Sequence, residues 1–115
     1  YKIADKIVDG RKIRDEIPNM ASIESSLTDY KILPGVREVP ISDFHITGKH
    51  YSVEGNRKID RLTSMINESG EITPLIVVVE KGGPYILEGS TRIDALYNLG
   101  AKSFPAKVVY SMEGR

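Results

Sequence analysis

The stretch from Thr73 to Gly83, "TPLIVVVEKGG", constrains this chain more than any other. Its apolar residues run on without the polar alternation that a strand with one wet face carries. It predicts a strand buried on both faces. Gly82, Gly83 and Pro84 then turn the chain, and Tyr85 to Leu87 read as a second strand. The next stretch, "LEGSTRIDALYNLG", changes period: Ile93, Leu96, Tyr97 and Leu99 carry a short helix that Gly100 ends. "KSFPAKVVYS" closes with another strand.

Before the apolar run, "NRKIDRLTSMINESG" sets Ile59, Leu62, Met65 and Ile66 on one helical face. The pattern predicts a helix over 57–69, with Asn56 as N-cap and Gly70 as the C-terminal glycine. "ILPGVREVPISDF" reads as a loop entering a short strand near Val36 to Ile41, and "HITGKHYSVEGN" as a polar connector. Residues 1–35 are expected to form an N-terminal extension, a helix or an arm. Ile3, Ile7 and Val8 lie at helical spacing, Gly10 interrupts, Ile13 and Ile17 resume, and Pro18 stops the pattern. "MASIESSLTDY" fits a short helix or an arm.

The whole chain has 115 residues, enough for one modest core. Lys plus Arg and Asp plus Glu number 16 each, so no global field draws it to nucleic acid or membrane. The absence of cysteine removes disulfides, thiolate metal sites and thiol nucleophiles. No apolar run approaches the roughly 18 residues of a membrane span. The chain does not begin with Met and has no signal-peptide pattern, and is read as a piece of a larger protein.

The chemistry concentrates where the second strand meets the second helix. A helix start carries backbone amides without intrahelical acceptors and the positive end of the macrodipole. Gly89 admits a ligand close to the backbone, Ser90 or Thr91 can cap the helix or donate a hydroxyl, and Arg92 adds a fork that suits phosphate. Glu88 beside them can hold a metal, orient water or act as a base. On these residues alone a plainer reading stands beside it: Ser90 as an ordinary cap, Arg92 as a solvated first-turn residue and Glu88 as a strand-end charge. Asp94 is expected to make a helix-start contact with Thr91 or Lys58. His45 and His50 are conceivable as a metal pair, although loop histidines are more often unremarkable.

From Val39 to Val109 the chain resembles the ParB/sulfiredoxin-like superfamily. The segments that carry the resemblance are "REVPISDF", "SMINESGEITPLIVV", "YILEGSTRIDAL" and "LGAKSFPAKVV", in the family's order and spacing. The resemblance implies an α/β fold of the α+β type: a small mixed sheet packed with helices over 36–115, beside the N-terminal helical extension. It makes Gly89, Ser90, Thr91 and Arg92 a nucleotide-phosphate loop with Glu88 as its acidic neighbour. It brings Lys58 to the phosphates, and the turn containing Glu71 and Thr73 to the nucleotide. Ser90 or Thr91 stands where sulfiredoxins have Cys, which argues against cysteine-sulfinate repair. Thr91 also stands where many members have His or Arg. The helix-turn-helix domain that follows in ParB proteins is not present in this sequence.

The function this implies is an ATPase or broader NTPase, with ATP or another NTP as substrate, Mg²⁺ as cofactor, and Glu88 and Arg92 as catalytic residues. Glu88 would be the metal ligand. The "EGSTR" loop looks like that of modules carried by secreted polymorphic toxins. The expected setting is therefore a contact-dependent growth-inhibition effector. It would be delivered from the cell surface, act in the target-cell cytoplasm and be restrained by a cognate immunity protein. Two alternatives come from other classes. One is a metal-dependent nuclease using Glu88 with His45 or His50, and Lys49, Arg57, Lys58 and Arg61 as a nucleic-acid groove. The other is a non-catalytic, nucleotide-gated partner-binding module.

Overall fold

The buried strand lies inside a sheet with cover on both sides. The computed structural model describes residues 1–18, 20–26 and 29–111. Strands β1 (Lys2–Ile3), β4 (Tyr30–Ile32), β5 (Arg37–Pro40), β7 (Leu75–Glu80), β8 (Gly83–Glu88) and β9 (Ser103–Ser111) form the larger sheet. Its order is β1-β5-β9-β7-β8, with β4 also paired to β9. β9 runs parallel to β7 and antiparallel to β5 and β4. The sheet is thus mixed, as the resemblance implied.

Strand alternation explains why β7 is apolar throughout. Leu75 and Val77 pack with Ile66, Ile93, Leu96 and Phe104 beneath helices α2 (Val53–Ser69) and α3 (Ser90–Asn98). Ile76 and Val78 point the other way. They pack with Val109, Ile17, Tyr30, Ile32 and the short helix α1 (Met20–Ser26), through Met20 and Ile23. Residues 1–35 therefore supply the cover for the second face. At about 25 cal/mol per Å² of apolar surface, full burial of each such side chain contributes roughly 1.5–3 kcal/mol.

The helical extension expected at the N-terminus is not what forms there. Residues 2–13 hold three short strands: β1, β2 (Ile7–Val8) and β3 (Arg11–Ile13). Asp9 and Gly10, at φ 51° and 79°, make the two-residue turn of a hairpin in which Val8 faces Arg11. Two successive positive φ values are the hairpin preference of Asp-Gly, a signal that outweighs the helical spacing of Ile3 and Ile7. β3 then pairs in parallel with β6 (Glu71–Ile72), making a separate three-stranded sheet. The Ser-rich stretch holds α1, and positions 27 and 28 within it lie outside the described residues, as do 112–115 of the closing segment.

α2 begins earlier than its apolar period predicts. Ser52, not Asn56, is the N-cap, accepting from the Gly55 amide at 3.0 Å. Asn56 instead clamps the entering loop: it accepts from the His50 amide and donates to the carbonyls of His50 and Ser52, each at 2.9 Å. Gly70 ends the helix at φ 67°, its amide bonding to the Ile66 carbonyl at 2.9 Å. Among the described residues no helix is long and apolar enough to cross a membrane.

Candidate functional site

The loop after β8 is shaped by a bulge. Glu88 pairs with Ile76 but Ile86 with Val77, so Leu87 is an extra residue. Such a bulge re-aims the side chains beside it. Gly89 follows at φ 105°, ψ 26° as the N-cap of α3. A Cβ there would sit 2.6 Å from Leu75 Cγ and 3.1 Å from Arg92 Nη2, so both conformation and space require glycine.

A glycine cap has a chemical consequence. No side chain caps α3, so the expectation that Ser90 or Thr91 would do so is not met. The first helical bond runs from the Ile93 amide to the Gly89 carbonyl at 3.0 Å. The amides of Ser90, Thr91 and Arg92 therefore start the helix without intrahelical acceptors, at its positive end.

Arg92 sits in that first turn and is not solvated. Its side chain is 15% exposed, and Nε and Nη2 are buried without a hydrogen-bond partner among the described residues. Glu88 Oε1 lies 4.0 Å from Nη2, close enough for attraction and too far for a hydrogen bond. Burial pushes the guanidinium's pKa down, and Glu88 pulls it partly back. The group stays cationic at any working pH. A buried cation with unused donors at a helix N-terminus is suited to an anion.

Two concave regions meet at Arg92 and Leu62. The smaller, about 250 Å³, is formed by Leu87, Glu88, Gly89, Ser90 and Thr91. The larger, about 390 Å³, is lined by Arg14, Met65, Ile66, Glu68, Ser69, Glu71, Ile72 and Thr73. Fold closure thus brings Glu71 and Thr73 to the same two-part cleft as Glu88, Gly89, Ser90, Thr91 and Arg92. Lys58 lines neither part; it is exposed on α2, one turn before Leu62. Arg14 was not among the sequence-derived candidates. Its signal is a strand pairing between distant segments, which periodicity does not carry.

Other polar side chains resolve into structure. Asp94 takes a hydrogen bond from the Gly48 backbone and, among the described residues, makes no ion pair with Lys58; burial raises its carboxyl pKa against that bond and the nearby His50. His50 Nδ1 accepts from the Ser52 amide at 3.0 Å and lies 2.9 Å from the Ser52 hydroxyl, tying it to the start of α2. Arg37 donates to the carbonyls of Pro34 and Tyr1, at 3.2 and 3.1 Å. Among the described residues no group of three His, Asp or Glu side chains gathers as a metal site.

No family model and no curated protein matches this chain. Among solved structures it is similar to the crystal structure of sulfiredoxin from Arabidopsis thaliana, with a TM-score of 0.53 and 23% identity, covering 65% of this chain and 84% of that one. That likeness establishes a sulfiredoxin-like fold.

Proposed function

We propose that the two-part cleft binds the phosphates of a nucleotide and that the protein cleaves or transfers the terminal phosphoryl group. The observation that supports this most is Arg92, a buried guanidinium with unmatched donors beside three free helix-start amides. The phosphates lie on Gly89 to Arg92, while Glu71 and Thr73 offer acceptors and a hydroxyl to the rest of the ligand. Glu88 aligns the attacking water and takes its proton: the water oxygen bonds to the terminal phosphorus as the bridging P–O bond breaks, the nucleoside diphosphate leaves, and the proton passes on to the released phosphate or solvent. Mg²⁺ takes most of its ligands from phosphate oxygens and water, so a single carboxylate such as Glu88 fits it, and it would neutralise phosphate charge. The setting we favour is a secreted growth-inhibiting toxin with an immunity protein; its support is the loop sequence "EGSTR".

Calorimetry with ATP, GTP and CTP tests the reading. The parent should bind at least one, and Arg92→Ala should weaken it by about 10–100-fold, the range for a charge-assisted contact. Binding without phosphate release would favour the nucleotide-gated module. A parent that binds none of the three would refute the proposal.

A further inference from the structure

Arg14 reaches the cleft from the N-terminal segment. β3 lies parallel to β6, and the Arg14 amide bonds to the Ile72 carbonyl at 2.9 Å, which pins its backbone beside Thr73. The residue lines the larger region together with Thr73 and Arg92, and its exposed side chain stands between that region and a second concavity that includes Asp5, Lys6, Lys12 and Asp15. Nearby arginines have work in the fold: Arg11 pairs with Asp9 at 3.3 Å, and Arg37 holds two carbonyls. The Arg14 guanidinium makes no hydrogen bond or ion pair among the described residues.

Charge shows what this side chain adds. The larger region is lined by Arg14 and Arg92 and by Glu68 and Glu71, and neither acid is within ion-pair reach of either guanidinium. With Arg92 alone, this wall would be net negative and would repel phosphate; Arg14 restores the balance and supplies a second fork. We infer that Arg14 is a second guanidinium ligand for the bound anion, delivered by β3, and that the cleft thereby selects chains of two or more phosphates over a single phosphate. The inference rests on the phosphate-binding reading above. One phosphate occupies the helix-start amides and Arg92; a longer chain extends toward Arg14 as well.

The test is calorimetry of inorganic phosphate, pyrophosphate and tripolyphosphate with the parent, Arg14→Gln and Arg92→Ala. The parent should prefer tripolyphosphate to phosphate by about tenfold or more, and Arg14→Gln should weaken tripolyphosphate by about tenfold, the low end for a charge-assisted contact at an exposed side chain. Phosphate should change by about twofold or less, and the melting temperature should not move, since the side chain has no partner in the fold. If Arg14→Gln binds tripolyphosphate as the parent does while Arg92→Ala does not, the inference fails alone. Equal weakening of all three anions removes the selectivity claim. A parent that binds none of them overturns both this inference and the reading beneath it.

Discussion

Arg92→Met should make the free protein more stable while destroying its ligand binding. The guanidinium leaves two buried donors unmatched. Each unsatisfied buried donor costs roughly 1–3 kcal/mol, so the low end for both gives about 2 kcal/mol relieved by an apolar side chain of similar length. Against this stands the lost attraction to Glu88, 4.0 Å away and itself 34% exposed, which contributes up to about 1 kcal/mol. Glu88 can hydrate once its partner is gone, so the net gain is about 1–2 kcal/mol. In a domain of this size that raises the melting temperature by roughly 5 °C. Ligand should invert the order. At about 100 times its Kd, a nucleotide stabilises the parent by about 2.7 kcal/mol and the mutant hardly at all. Urea unfolding with and without ATP measures both effects. An apo mutant less stable than the parent by about 1 kcal/mol or more would refute the reasoning, because the guanidinium would then be satisfied within the fold.

Gly89→Ala meets both a left-handed backbone and Leu75, and should lose about 1–3 kcal/mol in urea unfolding; an unchanged midpoint would contradict the close approach. Glu88→Gln should retain nucleotide binding by calorimetry yet slow phosphate release on the order of 10²-fold, and a parental rate would make Glu88 structural. Asp94 has a carboxyl pKa raised above its ordinary 3.8, chiefly by burial. Its protonated form is therefore favoured by the fold, a contribution complete below the ordinary value and lost as pH rises through the raised one. Relative to Asp94→Asn, the parent should lose stability as pH rises above the ordinary carboxyl value, and a difference that is flat or rises with pH would count against this.

Much of the scaffold was legible because it is written in local periods. The β-branched run became β7, and Gly70 and Gly100 took the positive φ that ends each helix; of the apolar stripe on α2, Ile59 and Ile66 are buried and Leu62 partly so, while Met65 stays exposed. The sulfiredoxin-like likeness was legible too, since the order and spacing of those pieces carry it. The N-terminus was misread where two local signals competed. Helical spacing of Ile3 and Ile7 lost to the Asp9–Gly10 turn, whose paired positive φ values fit only a hairpin.

By itself, then, the sequence determined which residues alternate, which turn, and that glycine, hydroxyls and an arginine stand at one helix start. Whether Arg92 is solvated or buried was not in that pattern, because a first-turn arginine has the same period in either case. Tertiary closure decided it: Nε and Nη2 end up buried, with no hydrogen-bond partner among the described residues and Glu88 4.0 Å away. Closure also decided Arg14, which reaches the cleft only through the parallel pairing of β3 with β6. Pairing between segments so far apart depends on loop closure and on burial elsewhere in the chain, and no local period records either.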